Sequence, residues 1–206
     1  MTPATNVQQQ LLPLTLVVGG ARSGKSRLAE RLVVATGLRR HYIATAEAWD
    51  DEMRARIAQH QSERGTGWQT WNIPFDVDQT LPLIPKGEVV LLDCATLWLS
   101  NHLLAGSDID AKSVALIAAL VACASPVVVV SNEVGWGIVP ENPLARAFRD
   151  HQGLLNQRIA ERADLVIGVM AGLPIVLKGR MPEGLSIPPS DRYGHNNQFS
   201  SAAPLD

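Results

Sequence analysis

Gly19-Gly20-Ala21-Arg22-Ser23-Gly24-Lys25-Ser26 is the stretch on which the reading of this chain turns. It is a full G-x-x-x-x-G-K-S pattern, preceded by Leu14-Thr15-Leu16-Val17-Val18 and followed by the helical run 27–35. The leading run is short, apolar and β-branched, which suits a buried strand. The glycines let the backbone curl so that successive N–H groups point at the β-phosphate of a nucleotide. Lys25 brings a point charge to the β/γ-oxygens, and the Ser26 hydroxyl suits Mg2+. A plain glycine-rich turn is the alternative, but it leaves the Lys-Ser pair after the second glycine unexplained.

Outward from this loop the same alternation recurs. Further strands are expected at 41–45, 68–73, 89–93, 126–130 and 164–170, with an edge strand at 175–177. Helices are expected at 50–63, 110–123 and 140–162, with a weak one at 77–83; acidic residues in the first turn of the 50–63 helix complement its dipole. Runs such as Val89-Val90-Leu91-Leu92 and Val127-Val128-Val129-Val130 are continuous rather than alternating, the pattern of burial on both faces. Strands interleaved with helices give a mostly parallel sheet. The expected architecture is therefore a single α/β domain, P-loop NTPase-like, with a mostly parallel sheet flanked by helices over residues 14–180. A loose leader at 1–13 precedes it, and an extended or disordered tail at 181–206, poor in apolar residues, follows it.

A length of 206 residues suits one such domain, and a formal net charge of −2 argues against a general nucleic-acid or membrane-surface role, which calls for a basic face. Cys94 and Cys123 lack metal or redox spacing and read as reduced, buried thiols, although the place of Cys94 beside Asp93 keeps a chemical role for it in view. The N-terminus has no signal-peptide pattern, and the greasiest run, 114–130, is broken by Ser125-Pro126 and too short for a membrane span. A cytoplasmic location is expected.

Three clusters carry candidate chemistry. Asp93 ends an apolar strand on the edge where ligands bind in such sheets, the usual partner of the loop for holding Mg2+; a cap for a helix at 95–103 is the alternative. Met53, Ile57, His60 and Arg64 step by four, three and four, so they share a helical face, and Arg56 and Arg64 crowd cationic groups round the histidine. A satisfied core histidine explains the apolar neighbours. A neutral imidazole that attacks an α-phosphorus and holds the nucleotide as a phosphoramidate explains the arginines. The residues alone leave both open. The third cluster runs from Ser131 to Asn142. Asn132 and Glu133 fall on the ligand edge, Gly135 and Gly137 allow a bent loop, and Trp136 offers an apolar face to a large ligand. A plain strand-to-helix connection accounts for Pro140 and Asn142 but not for an acid beside an exposed tryptophan. Arg146, Arg149 and Asn156 either line the same cleft or solvate the outer face of their helix.

With these clusters placed, the chain resembles the bifunctional adenosylcobinamide kinase / adenosylcobinamide-phosphate guanylyltransferase family of cobalamin biosynthesis. The resemblance lies in GGARSGKS at 19–26, YIATA at 42–46, DDEMRARI at 50–57, NEVGWGIVPENPLARAFRD at 132–150 and NQRIAERAD at 156–164. It covers most of 14–179, and the NEVGxGIVPxN segment is its most specific part. It implies phosphorylation of the aminopropanol hydroxyl of adenosylcobinamide by ATP or GTP. It also implies transfer of GMP from GTP to the resulting phosphate through a guanylyl-histidine, giving adenosylcobinamide-GDP and pyrophosphate. The family's modified histidine follows the DDEM-x-x-R-I segment by three residues, which falls on His60. Nucleotide contacts carry over to Gly19, Gly20, Ala21, Arg22, Ser23, Gly24, Lys25 and Ser26, to Thr45, Ala46 and Glu47, and to Gln61, Ser62, Glu63 and Arg64. Asp93 takes the place of the acidic strand-end residue.

Two departures stand out. Family members often carry adjacent histidines where this chain has Gln59-His60, and a nucleotide-contacting glutamate is replaced by Asn72, which makes guanine preference less secure. The resemblance also implies a homo-oligomer, a trimer. Rival readings are a monofunctional small-molecule kinase, a regulatory GTPase and a non-catalytic nucleotide-binding protein; the lack of an N-K-x-D motif disfavours the GTPase.

Overall fold

The computed structural model describes residues 11–47, 51 and 64–182. The expected 50–63 helix, with His60, and the tail beyond residue 182 lie outside the described residues, apart from Asp51. Seven strands form one sheet: β1 Leu14–Gly19, β2 Arg40–Ala44, β3 Trp68–Asn72, β4 Val89–Asp93, β5 Val127–Asn132, β6 Leu165–Met170 and β7 Leu173–Lys178. Their order is β3-β2-β4-β5-β1-β6-β7, and every neighbouring pair is parallel except β6 with β7.

The helices whose full span is described are α1 Lys25–Ala35, α2 Val77–Thr80, α3 Ala95–Leu104, α4 Ile109–Ala122 and α5 Pro143–Arg162. The inner strands β1, β4, β5 and β6 feed both faces of the sheet, which is why their apolar runs are unbroken. On one face Leu16, Leu92, Val127 and Val129 pack with Trp98, Leu116, Leu155 and Ile159 from α3, α4 and α5. On the other, Val17, Leu91, Val128 and Val130 pack with Leu28 and Leu32 of α1.

Several boundaries differ from expectation for local reasons. The helix expected from residue 140 starts at Pro143, because Asn142 Oδ1 accepts from the N–H groups of Leu144 (2.8 Å) and Ala145 (3.4 Å) and Pro143 occupies the first turn, where it has no N–H to lose. The 77–83 element divides into α2 and a 3-10 turn at Leu81–Leu83, since Pro82 cannot donate to a continuing ladder. Leu11, expected in a loose leader, is 5% exposed and belongs to the core on the α1 face, and Met181 packs there as well. The packed body therefore extends three residues before Leu14 and one beyond residue 180.

Candidate functional site

The loop after β1 turns into α1 through Gly24, whose φ of 93° only glycine adopts without strain. Gly19 is required for a different reason: a Cβ there would lie 2.5 Å from the Val169 carbonyl and 2.6 Å from Ser23 Oγ. The turn is closed by Ser23 N–H donating to Gly20 O (3.3 Å), and Lys25 Nζ donates to the same carbonyl at 3.2 Å. Two neighbouring segments hold the loop from outside. Glu133 N–H donates to Gly19 O (3.1 Å), and Gly172 N–H, in the turn between β6 and β7, donates to Ser23 O (2.9 Å).

Strand register decides what faces this loop. Gly19 is level with Asn132, while Asp93 and Asn72 are both level with Ala44, so all of them reach the carboxyl edge of the sheet. The Asp93 carboxylate does not cap α3; the N-cap there is Cys94, without a side-chain cap bond. Instead Tyr42 Oη donates to Asp93 Oδ2 at 3.0 Å. Burial, aided by the Asp93 charge, pushes the Tyr42 phenol well above its ordinary range, so it stays a donor. The Arg64 guanidinium stacks 3.3 Å from the centroid of the Tyr42 ring, and its Nε and Nη1 are buried without a hydrogen-bond partner among the described residues. Glu47 Oε2 is in the same condition. Arg64 and Glu47 are themselves expected nucleotide contacts, whereas Asn72, another, is exposed at the end of β3.

Thr45 is engaged within the framework. Its hydroxyl donates to Cys94 O (2.8 Å) and accepts from Cys94 N–H (2.9 Å), its N–H donates to Asp93 O (3.3 Å), and its carbonyl accepts from Asn101 Nδ2 (2.9 Å). It ties the exits of β2 and β4 together. Ala46 and Glu47, half-buried, follow it outward.

In the third cluster, Glu133 Oε1 accepts from Gly135 N–H (2.7 Å), and the loop tip carries Trp136 at 78% and Ile138 at 96% exposure. Arg146 Nη1 donates to the carbonyls of Pro140 (2.9 Å) and Glu141 (2.6 Å), so it pins the loop rather than solvating the helix. Arg149 pairs with its neighbour Asp150, and Asn156 lies beneath the loop. The residues that sequence reasoning missed are Tyr42, Thr96 and Gln152. Tyr42 alone left a signal, as the one polar-tipped side chain within the apolar YIA run.

Other groups lie outside this chemistry. Burial first, then the Asp93 charge, pushes the Cys94 thiol up to about 11. At pH 8 only about one part in a thousand is thiolate, so native protein is expected to resist iodoacetamide at Cys94 over an hour, while unfolded protein takes the label at both cysteines; intact mass reads the difference. At the opposite, amino-terminal end of the strands, buried His41 accepts at Nδ1 from Trp71 Nε1 (2.9 Å) and pairs through Nε2 with Glu88. His102 is likewise buried and partnered, with Nδ1 3.0 Å from Ser107 Oγ and Nε2 3.3 Å from the Phe75 carbonyl.

The chain is similar to several known proteins. A family profile described as cobinamide kinase / cobinamide phosphate guanyltransferase matches residues 15–177. The bifunctional adenosylcobalamin biosynthesis protein CobP of Pseudomonas aeruginosa is 46% identical over 167 residues, covering 80% of this chain and 96% of that protein. The corresponding CobU of Salmonella typhimurium is 43% identical over 183 residues, covering 80% of this chain and 99% of its own length. Among solved structures, the RadB recombinase aligns with a TM-score of 0.51 at 15% identity over 83% of each chain, a likeness of fold alone. No helix among the described residues is long and apolar enough to cross a membrane.

Proposed function

The chain belongs to the cobinamide kinase / cobinamide phosphate guanyltransferase family, and from that premise we propose how its own residues divide the two reactions of a bifunctional cobalamin-biosynthesis enzyme. One reaction phosphorylates the aminopropanol hydroxyl of adenosylcobinamide from ATP or GTP. The other moves GMP from GTP onto that phosphate. Both use one nucleotide site at the carboxyl edge of the sheet. The observation that carries this reading is the register that brings the Gly19–Ser26 loop, Asp93 and the Asn132 exit to a single edge.

In this reading the loop amides and Lys25 hold the polyphosphate, and Glu47, Gln61, Ser62, Glu63 and Arg64 contact the rest of the nucleotide. Arg64 has two buried, unpartnered nitrogens to offer. Asn72 presents an amide to ribose or base. Ser26 and Asp93 are hard oxygen donors of the kind Mg2+ accepts from protein. Two such donors fit Mg2+, which keeps waters and substrate phosphates as its other ligands and, when bound, neutralises charge developing on the leaving oxygen.

For GMP transfer, a neutral ring nitrogen of His60 attacks the α-phosphorus. A P–N bond forms as the P–O bond to pyrophosphate breaks. A phosphate oxygen of adenosylcobinamide phosphate then attacks the same phosphorus, and the P–N electrons return to the imidazole. The kinase step needs only the hydroxyl positioned at the γ-phosphate. Asn132, Glu133 and Trp136 meet the corrinoid. The apolar residues exposed along the edge strand β7 (Leu173, Ile175 and Leu177) support self-association, and light scattering on the purified protein tests the homotrimer that the resemblance implies.

The decisive experiment incubates the protein with Mg2+ and GTP and takes its intact and peptide masses. The expected result is a gain of one GMP, acid-labile and base-stable, on the peptide containing His60. GTP binding without an adduct would leave the plain kinase in its place.

A further inference from the structure

We propose that Thr96 and Asn156 are positioning residues for the corrinoid acceptor: between them they fix both backbone groups of Asn132 and so set where the 132–142 loop leaves the sheet. The proposal rests on the reading that this loop meets the corrinoid.

At the end of a strand the ladder stops, and the last peptide groups need partners from elsewhere. Here they find side chains from two different helices. Asn132 N–H donates to Thr96 Oγ1 at 2.7 Å, and Asn132 O accepts from Asn156 Nδ2 at 3.0 Å. The other side of the Asn156 amide is held in turn: its Oδ1 accepts from Ser131 Oγ at 2.6 Å and from Gln152 Nε2 at 2.9 Å, and Gln152 Nε2 also lies 2.9 Å from Ser131 Oγ. Thr96 Oγ1 lies 3.4 Å from Ser131 Oγ, which joins the two halves. Ser131 and Gln152 are 0% exposed and Thr96 is 5% exposed, while Asn132 and Asn156 are half-buried; Gln152 Oε1 is the one buried side-chain atom of the network without a partner among the described residues.

A buried polar cluster of this kind is costly unless nearly satisfied, and when satisfied it holds one geometry. The geometry it holds here spans the site. Thr96 is in the first turn of α3, three residues past Asp93, so its hydroxyl links the exit of β4 to the exit of β5. Asn156 is on α5, the helix whose cap Asn142 closes the far end of the same loop and whose Arg146 pins Pro140 and Glu141. One helix thus holds the loop at both ends, and Glu133 N–H on Gly19 O ties its base to the phosphate-binding loop. Trp136 and Ile138 project from a fixed base. A bulky acceptor docked on that tip is placed relative to the α-phosphate through Asn132, and displacement of about 1 Å is enough to cost roughly 100-fold in such a transfer.

The test uses the full chain with T96V, T96S and N156D and reads two reactions separately. The first is formation of the GMP adduct from GTP without corrinoid. The second is discharge of that adduct onto adenosylcobinamide phosphate, with KM and kcat determined. For T96V and N156D the expected result is adduct formation within about twofold of the unsubstituted protein and discharge slower by roughly 10- to 100-fold, with T96S, which keeps the hydroxyl, restored to within about threefold. Equal losses in both reactions that follow a fall in Tm would reduce the network to a stabilising one and overturn the proposal. Unaltered discharge would overturn it as well. If the unsubstituted protein forms no adduct, the covalent reading fails instead. The positioning role is then read in the kinase reaction, where T96V is expected to raise KM for adenosylcobinamide but not for ATP; a KM unchanged for both overturns it.

Discussion

His60→Ala is expected to lose GMP transfer completely while the protein goes on phosphorylating adenosylcobinamide. A covalent route has no substitute for its nucleophile: without the imidazole, the P–N bond cannot form, and the α-phosphorus of GTP is not attacked. The fall in adenosylcobinamide-GDP production should exceed about 10⁴-fold, the scale of removing a covalent nucleophile. The kinase step makes no bond to the protein. It depends on the loop amides, Lys25 and the placement of a hydroxyl, none of which passes through His60, so its rate should stay within about tenfold. Labelling with α-labelled GTP and, separately, transfer of γ-phosphate from ATP read the two activities on the same preparation. Equal loss of both would mean that His60 supports the site rather than attacking phosphorus, and the apolar neighbours Met53 and Ile57 would then have been the better guide.

The fold was legible because burial on both faces leaves one unmistakable trace, an unbroken apolar run, and every strand carrying such a run was found within a residue or two of its place. What escaped notice depends on information a local window does not hold. Pro140 and Pro143 both suit a helix start, and only the reach of the Asn142 side chain to the N–H groups of Leu144 and Ala145 decides between them. Leu11 looked like leader because it follows a polar run and precedes Pro13, yet it completes the face under α1. In the site, the phosphate-binding loop and Asp93 were visible because their residue types are tied to fixed places, a turn and a strand end. The bonds from Tyr42 to Asp93 and from Thr96 and Asn156 to Asn132 span 51, 36 and 24 positions. Each arises from strand register and helix placement, and nothing in the neighbouring sequence announces it. Arg64 illustrates the middle case: its helical spacing and charge pointed to the site, while its stacking on Tyr42 needed the tertiary structure.

That stacking bears on the second large effect, which is expected from Asp93→Asn. The amide is nearly the shape of the carboxylate, and its oxygen still accepts from Tyr42 Oη, now 3.0 Å from Asp93 Oδ2, so the β4 exit should keep its fold. What disappears is one negative charge at the edge shared by both reactions. Since the two reactions use the same loop and the same polyphosphate, kinase and GMP transfer should fall together, by about 10²- to 10³-fold, the usual scale for losing one electrostatic element of a transition state. The pattern is therefore opposite to that of His60→Ala, which separates the activities. The residual activity should also need more Mg2+ for half-saturation, because one of the two protein oxygens offered to the cation has lost its charge. Tyr42→Phe is the graded control. It leaves the carboxylate and removes one charge-assisted hydrogen bond, worth about 1.5 kcal/mol, so both rates should drop only about tenfold, with Mg2+ dependence little moved. If Asp93→Asn depressed one activity and spared the other, the carboxylate would be contacting a substrate particular to that step. If it spared both, Asp93 would be no more than the Tyr42 acceptor that holds β2 against β4, and the oxygen donors for Mg2+ would have to be sought among the residues that follow Thr45.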